Sequence, residues 1–354
     1  MELKHYLSYL QNTITNKWSD LAMKDLDGTT QYTYGELATQ IARLHTTFRL
    51  LGIKEGDKIA LCGRNCSNWG VTFLAVETYK AVAVSILPDF TGEGVENLVN
   101  HSEAKLLYTG PNVLKKIDAK NMPGLSAIIL MDDFSLQFAA NEEVEKAYAG
   151  VDAAFTEEYP KGYSKSDVNY PTDNIEELAL LNYTSGSTGF SKGVMLSGNA
   201  FAGNITYGIS SGLLEPGSRC LAFLPLAHAY GCAFDFLTSF CCGSHTTYLG
   251  KVPSPKILMK ALSEIKPTVI FTVPLIIEKI YRKQIQPMLE KRSMQFMLNV
   301  PLLDSTILST INKKLTETFG NEFKEVIIGG AALNPEAEEF FKKIGFRFTV
   351  GYGM

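Results

Sequence analysis

Short apolar runs rich in β-branched residues alternate along this chain with longer amphipathic ones. Candidate strands lie at residues 58–62, 82–87, 105–109, 127–131, 177–183, 220–224, 245–249, 268–273, 325–328 and 346–350. Most are continuous stretches of Val, Ile, Leu and Phe instead of in-out alternations. Strands covered on both faces read this way, so mainly parallel sheets are expected. Between them, residues 34–51 place Leu37, Ile41, Leu44, Phe48 and Leu51 at steps of three or four. That is one stripe of a helix, which Gly52 ends. A second helix is predicted over 274–290, opening on Pro274 and carrying Ile276, Ile277, Ile280 and Ile285. A third starts at Asn334-Pro335 and reaches about Lys343. Strand followed by helix, repeated, predicts an α/β fold with crossover connections. Residues 132–174 differ, being acidic, tyrosine-rich and poor in long apolar runs. They read as a helical surface excursion and a loop joining two sheet systems.

Composition narrows the picture. A length of 354 residues exceeds the usual single core, so about two packed units are expected, roughly 1–175 and 176–354. Apolar residues make up 45% and charged ones 20%, which excludes a wholly disordered chain. The net charge of −4 argues against a nucleic-acid partner, whose phosphates call for a strongly basic face. The cysteines Cys62, Cys66, Cys220, Cys232, Cys241 and Cys242 include no Cys-x-x-Cys pair. They read as reduced thiols, and no protein metal site is expected from them. The N-terminus lacks a basic start with an apolar core, and no apolar run reaches membrane-spanning length. A soluble, cytoplasmic protein is expected.

The chemistry concentrates after the strand at 177–183. There follow Thr184-Ser185-Gly186-Ser187-Thr188-Gly189-Phe190-Ser191-Lys192-Gly193. Ligands of open α/β sheets sit at such carboxyl ends of strands. The glycines let successive N–H groups converge on an anion, the hydroxyls add donors, and Lys192 adds a point charge suited to phosphate. A Walker A loop needs Gly-Lys-Ser/Thr, but Ser191 precedes Lys192 and Gly193 follows it. An ordinary P-loop fold is therefore disfavoured.

The stretch from Tyr183 to Val194 resembles the phosphate-loop signature of the adenylate-forming superfamily, which contains acyl-CoA synthetases, luciferases and peptide-synthetase adenylation domains. Ser191 departs from the proline usual there, and Ser197-Gly198 replaces a common Thr-His; neither change removes a phosphate donor. Two further segments agree in order. Phe223-Leu224-Pro225-Leu226-Ala227-His228-Ala229-Tyr230-Gly231 resembles the second signature, which opens a helix beside the acyl pocket. Gly329-Gly330-Ala331-Ala332-Leu333 and Gly351-Tyr352-Gly353-Met354 resemble the two strand ends that clasp adenine, with the tyrosine ring over one face. The run from Val273 to Tyr281 adds likeness to long-chain fatty acyl-CoA ligases.

This resemblance implies an αβαβα layered large domain with two mainly parallel sheets. It implies an acid–thiol ligase that joins a carboxylic acid to the α-phosphate of Mg²⁺·ATP, then passes the acyl group to coenzyme A. Thr184, Ser185, Gly186, Ser187, Thr188, Gly189, Lys192 and Gly193 are expected on the phosphates. Gly330, Ala331, Ala332, Gly351, Tyr352, Gly353 and Met354 are expected around the adenine. His228 is expected in the acyl pocket as the catalytic candidate, with Tyr230 and Gly231 lining it. The small residues at 231–233 are expected to leave room behind the carboxylate, and the acid is expected to be a medium- or long-chain fatty acid. Met354 falls inside the third motif, so residues 1–354 are expected to lack a small C-terminal cap and to be inactive alone. Two alternatives stay open: an acyl-AMP ligase loading a carrier protein, and a non-catalytic nucleotide- or acyl-binding module. Peripheral membrane contact and a homodimer are partners consistent with the reading; no basic amphipathic helix stands out as an anchor.

Overall fold

A computed structural model describes residues 4–184, 192–292 and 303–351 of the chain. Its strands are β1 (Leu21–Asp25), β2 (Gln31–Thr33), β3 (Lys58–Cys62), β4 (Val82–Ile86), β5 (Leu106–Thr109), β6 (Ala127–Leu130), β7 (Leu136–Ala139), β8 (Leu178–Thr184), β9 (Lys192–Ser197), β10 (Arg219–Ala222), β11 (His245–Tyr248), β12 (Val269–Thr272), β13 (Glu325–Ile328) and β14 (Phe348–Val350). Every strand expected from the apolar runs is present, with ends shifted by one or two residues. β1, β2, β7 and β9 are additional.

The first sheet runs β7-β6-β5-β3-β4-β8-β9, parallel in its centre and antiparallel only at its two edges. Four strands, β10-β11-β1-β2, form a second sheet, and β12-β13-β14 a parallel third. The last two abut: the Thr268 N–H donates to the Arg219 carbonyl at 2.8 Å, and the Arg219 N–H to the Thr268 hydroxyl at 3.1 Å. They make one split layer opposite the seven-stranded sheet.

The middle of the sandwich is the helix Ser67–Thr78, whose twelve residues are all buried. It packs on β3 and β4 on one side and on β1 on the other. A helix without a polar face belongs inside, between two sheets. Trp69 and Phe73 stack at 5.3 Å, and Phe73 meets Phe236 edge-on at 5.7 Å, which carries the core from one sheet towards the other. Outer helices such as Gly92–Ser102 and Pro255–Ile265 bury one side only. The αβαβα layering is therefore present.

The division at about residue 175 does not follow the sheets. β8 pairs with β4 across it, and β1 pairs with β11. A parallel sheet takes neighbours from distant sequence, so a composition change in a connecting segment does not cut the fold. The excursion at 132–174 contains β7, the helices Glu142–Ala149 and Val151–Glu158, and the loop into β8.

Candidate functional site

The phosphate motif is carried by a hairpin. β8 and β9 are antiparallel with Thr184 opposite Lys192 and Tyr183 opposite Gly193. Thr184, Lys192 and Gly193 are exposed at its mouth. Ser185, Gly186, Ser187, Thr188 and Gly189 lie outside the described residues. Tyr183 is buried beneath this mouth, and its hydroxyl lies 2.7 Å from His101 Nδ1.

Two asparagines join this hairpin and the β3 end to the second motif. Asn182, on β8, is 5% exposed and donates from Nδ2 to the Ala227 carbonyl at 2.7 Å. Asn65, just beyond β3, donates to the Leu224 carbonyl at 2.6 Å and accepts from the Leu226 N–H at 3.0 Å. Neither residue is predicted from motif spacing. The available signal for Asn182 is a polar residue inside an apolar, buried strand, a placement that requires a partner.

The segment so held presents His228 to solvent. Its Nδ1 accepts from the Tyr230 N–H at 3.3 Å, which in the neutral ring puts the proton on Nε2. From Gly231 to Thr238 the chain forms a π-helix, a wide turn associated with functional sites. Gly231 does not open a void. A Cβ there would stand 2.6 Å from the Pro225 carbonyl oxygen, and Cys232 and Ala233 are buried. The space beside Gly231 is taken by the Pro225 carbonyl of the same motif.

Tyr230 links the second motif to the third. Its hydroxyl donates to the Ile327 carbonyl at 3.1 Å, and its ring covers Gly329, where a Cβ would come within 2.7 Å of it. Phe234 packs on Tyr230 at 5.6 Å and stacks on Phe271 at 5.9 Å, an aromatic wall beside this junction. Gly330, Ala331 and Ala332 are exposed in the turn after β13. The Gly351 N–H donates to the Ile328 carbonyl at 2.8 Å, so the ends of β13 and β14 are adjacent. Glu278 accepts from the Asn334 N–H at 3.0 Å and fixes the far end of the turn. Tyr352, Gly353 and Met354 lie outside the described residues.

A cleft of about 130 Å³ opens where the carboxyl ends of β3, β4, β10 and β11 meet. Arg64 and Lys251 line it, as do Phe223, Leu249 and Val252, with Pro225 and Ala227 of the second motif. Within the π-helix, Asp235 is 1% exposed, its Oδ2 lacks a hydrogen-bond partner, and burial pushes its carboxyl well up. Burial likewise raises the Tyr230 phenol, with Asp235 adding to the effect.

Residues 10–354 match the AMP-binding enzyme family. The chain belongs to that family. A probable CoA ligase, CCL6, of Humulus lupulus is 24% identical over 353 residues, 91% of this chain and 52% of its own length. Long chain acyl-CoA synthetase 1 of Arabidopsis thaliana is 25% identical over 358 residues, again 91% and 52%. The chain thus spans about half the length of these curated relatives. The crystal structure of the anthranilate CoA ligase AuaEII in complex with anthranoyl-AMP superposes with a TM-score of 0.72 at 15% identity. It covers 100% of this chain and 60% of its own, and shows the shared fold. That fold is the N-terminal domain of adenylate-forming enzymes.

In this AMP-binding enzyme the described parts of all three motifs are tied to one another through Asn182 and Tyr230. Lys192 at the hairpin mouth and Gly330, Ala331 and Ala332 after β13 are exposed. Among the described residues, no three His, Cys, Asp or Glu side chains are grouped to hold a metal ion.

Proposed function

We propose that this AMP-binding enzyme activates a medium- or long-chain fatty acid with ATP and transfers it to coenzyme A. The observation that carries the reading is the double seat of Tyr230, hydroxyl on Ile327 and ring on Gly329. It sets the acyl motif against the strand ends assigned to adenine, as an acyl-adenylate site requires.

In the first step a carboxylate oxygen of the acid bonds to the α-phosphorus, and the bond from that phosphorus to pyrophosphate breaks. Charge moves onto the leaving group, where Lys192 and the loop from Thr184 to Gly193 hold it. His228, with Nδ1 occupied by the Tyr230 N–H, turns its Nε2 proton outward to orient the anionic carboxylate. Tyr352, Gly353 and Met354 are proposed beside the adenine, with Gly330, Ala331, Ala332 and Gly351. Mg²⁺ would arrive on the triphosphate and neutralise part of its charge.

In the second step the coenzyme A sulfur bonds to the acyl carbon and AMP leaves. We assign the thiol to the cleft beside Pro225 and Ala227. Phe223, Leu249 and Val252 suit the slender arm, and Arg64 and Lys251 suit its phosphates. The aromatic wall of Tyr230, Phe234 and Phe271 suits an alkyl chain. The six cysteines are all free, which agrees with a reducing compartment, and we place the enzyme in the cytoplasm. No helix among the described residues is long and apolar enough to cross a membrane.

Pyrophosphate release by the full-length protein across a panel of acids tests the reading. Preference for an alkyl acid, with coenzyme A outcompeting a phosphopantetheinyl carrier, is expected. Preference for an amino acid, or no heat on titrating the metal-replete protein with ATP, overturns it.

A further inference from the structure

The phosphate hairpin and the histidine segment are joined at one buried point. Asn182 lies two residues before Thr184, and its backbone pairs with Val194 in the hairpin ladder. Its side chain leaves the sheet and donates to the Ala227 carbonyl, the peptide that leads into His228. On the opposite flank, Asn65 grips Leu224 and Leu226. The His228 N–H closes the turn onto the Pro225 carbonyl at 3.0 Å. The segment 224–228 therefore hangs between two amide side chains from two different strand ends.

An asparagine in a buried, otherwise apolar strand carries a desolvation cost that packing alone does not require. Leucine, with the same number of side-chain heavy atoms, would fill the place but leave the Ala227 carbonyl without this donor. Thr184 pairs with Lys192 two residues beyond Asn182 in the same ladder, so a shift of the hairpin mouth would reach the Ala227 peptide through this amide.

We propose that Asn182 is a positioning residue that couples nucleotide occupancy of the hairpin to the orientation of His228, and so to binding of the acid. This rests on the ligase reading above. Coupling between two ligands is reciprocal, so the acid tightens the nucleotide by the same factor.

The experiment uses the full-length protein, the acid it prefers in pyrophosphate exchange, and α,β-methylene ATP as a non-reacting nucleotide. With the wild-type chain the analogue is expected to tighten acid binding by about fivefold or more. Asn182→Asp loses the amide donor at nearly constant volume, and Asn182→Leu loses it with the same number of side-chain heavy atoms. Each is expected to bring that factor within about twofold of unity, with acid affinity in the absence of nucleotide little changed. A factor kept at the wild-type value in either folded variant overturns the proposal. Hydrogen exchange on the wild-type chain needs no variant: the analogue alone is expected to slow exchange over residues 224–230 by about threefold or more. Unchanged exchange there also overturns it. A wild-type chain without acid-dependent pyrophosphate exchange overturns the ligase reading itself. Normal exchange with undiminished coupling in the variants removes only the role given to Asn182.

Discussion

Glu77 shows how one side chain sets the pH response of the scaffold. It sits in the central helix, fully buried, accepts from the Tyr6 hydroxyl through Oε2 and leaves Oε1 without a partner. Desolvation pushes its carboxyl up to about 8, against the lowering effect of the Tyr6 hydrogen bond. A raised acid is one whose folded form retains its proton after the unfolded chain has released it. Stability is therefore expected to fall as pH rises from the ordinary glutamate range to about 8, by up to about 1.4 kcal/mol per pH unit, and to level off above that. Glu77→Gln, a permanent mimic of the neutral acid, should flatten this slope. Its melting temperature should exceed the wild type at pH 9 and approach it at pH 5; parallel curves would refute the assignment. His228 is a second test at this scale. A hydrogen bond to a charged group contributes about 1.5–3 kcal/mol, so His228→Ala should lower kcat/KM for the acid by roughly 10- to 100-fold. Steady-state rates at saturating ATP measure this, and melting should be unaffected because the ring is exposed.

At the scale of the element, the π-helix from Gly231 to Thr238 fixes the second motif by close packing. The Thr238 hydroxyl returns to the Ala233 carbonyl at 2.7 Å and the Ser239 hydroxyl to Phe234 at 3.3 Å, both five residues back. Gly231→Ala would drive a methyl group into the Pro225 carbonyl. Overpacking of this kind costs about 1–3 kcal/mol, and it should appear in thermal melts together with lost acid turnover. Unaltered melting and turnover would show that the segment yields freely. The sequence reveals that a glycine stands in the motif, but not what occupies the space beside it, because Pro225 reaches it only through the fold. The same distinction holds for the strands. Residues 58–62 and 325–328 are legible because both of their faces are apolar. β1 and β2 are half-exposed, and β9 begins with Lys192 and Gly193, residues with loop chemistry, so its pairing with β8 is set by the ladder and not by propensity. The phosphate motif was readable in sequence as a group of donors, and the other two motifs by resemblance. Their junctions were not, since Asn65, Asn182 and Tyr230 acquire meaning only through partners between 45 and 161 residues away.

The whole molecule depends on a seam in its second layer. The four-stranded and three-stranded sheets meet at Arg219 and Thr268, and β13 and β14 belong to the smaller one. Arg219 does more there than form an ion pair. Its Nε donates to the carbonyls of Ile265 at 3.1 Å and Lys266 at 2.9 Å, which end the helix Pro255–Ile265, while its guanidinium meets Glu322. Lys266 also reaches Glu322, at 3.1 Å. The two kinds of contact differ in size. An exposed ion pair contributes about 0–1 kcal/mol and fades with salt, whereas stranding partly buried carbonyls costs about 1–3 kcal/mol regardless of salt. Glu322→Gln should therefore change the melting temperature little, and less still in high salt. Arg219→Ala should lower it by several degrees in low and high salt alike, and should open the segment from Pro255 to Val350 to proteolysis before the seven-stranded sheet. Equal effects of the two substitutions, or cleavage that begins in the seven-stranded sheet, would mean that the seam is held by charge or by the aromatic wall of Phe234 and Phe271 instead.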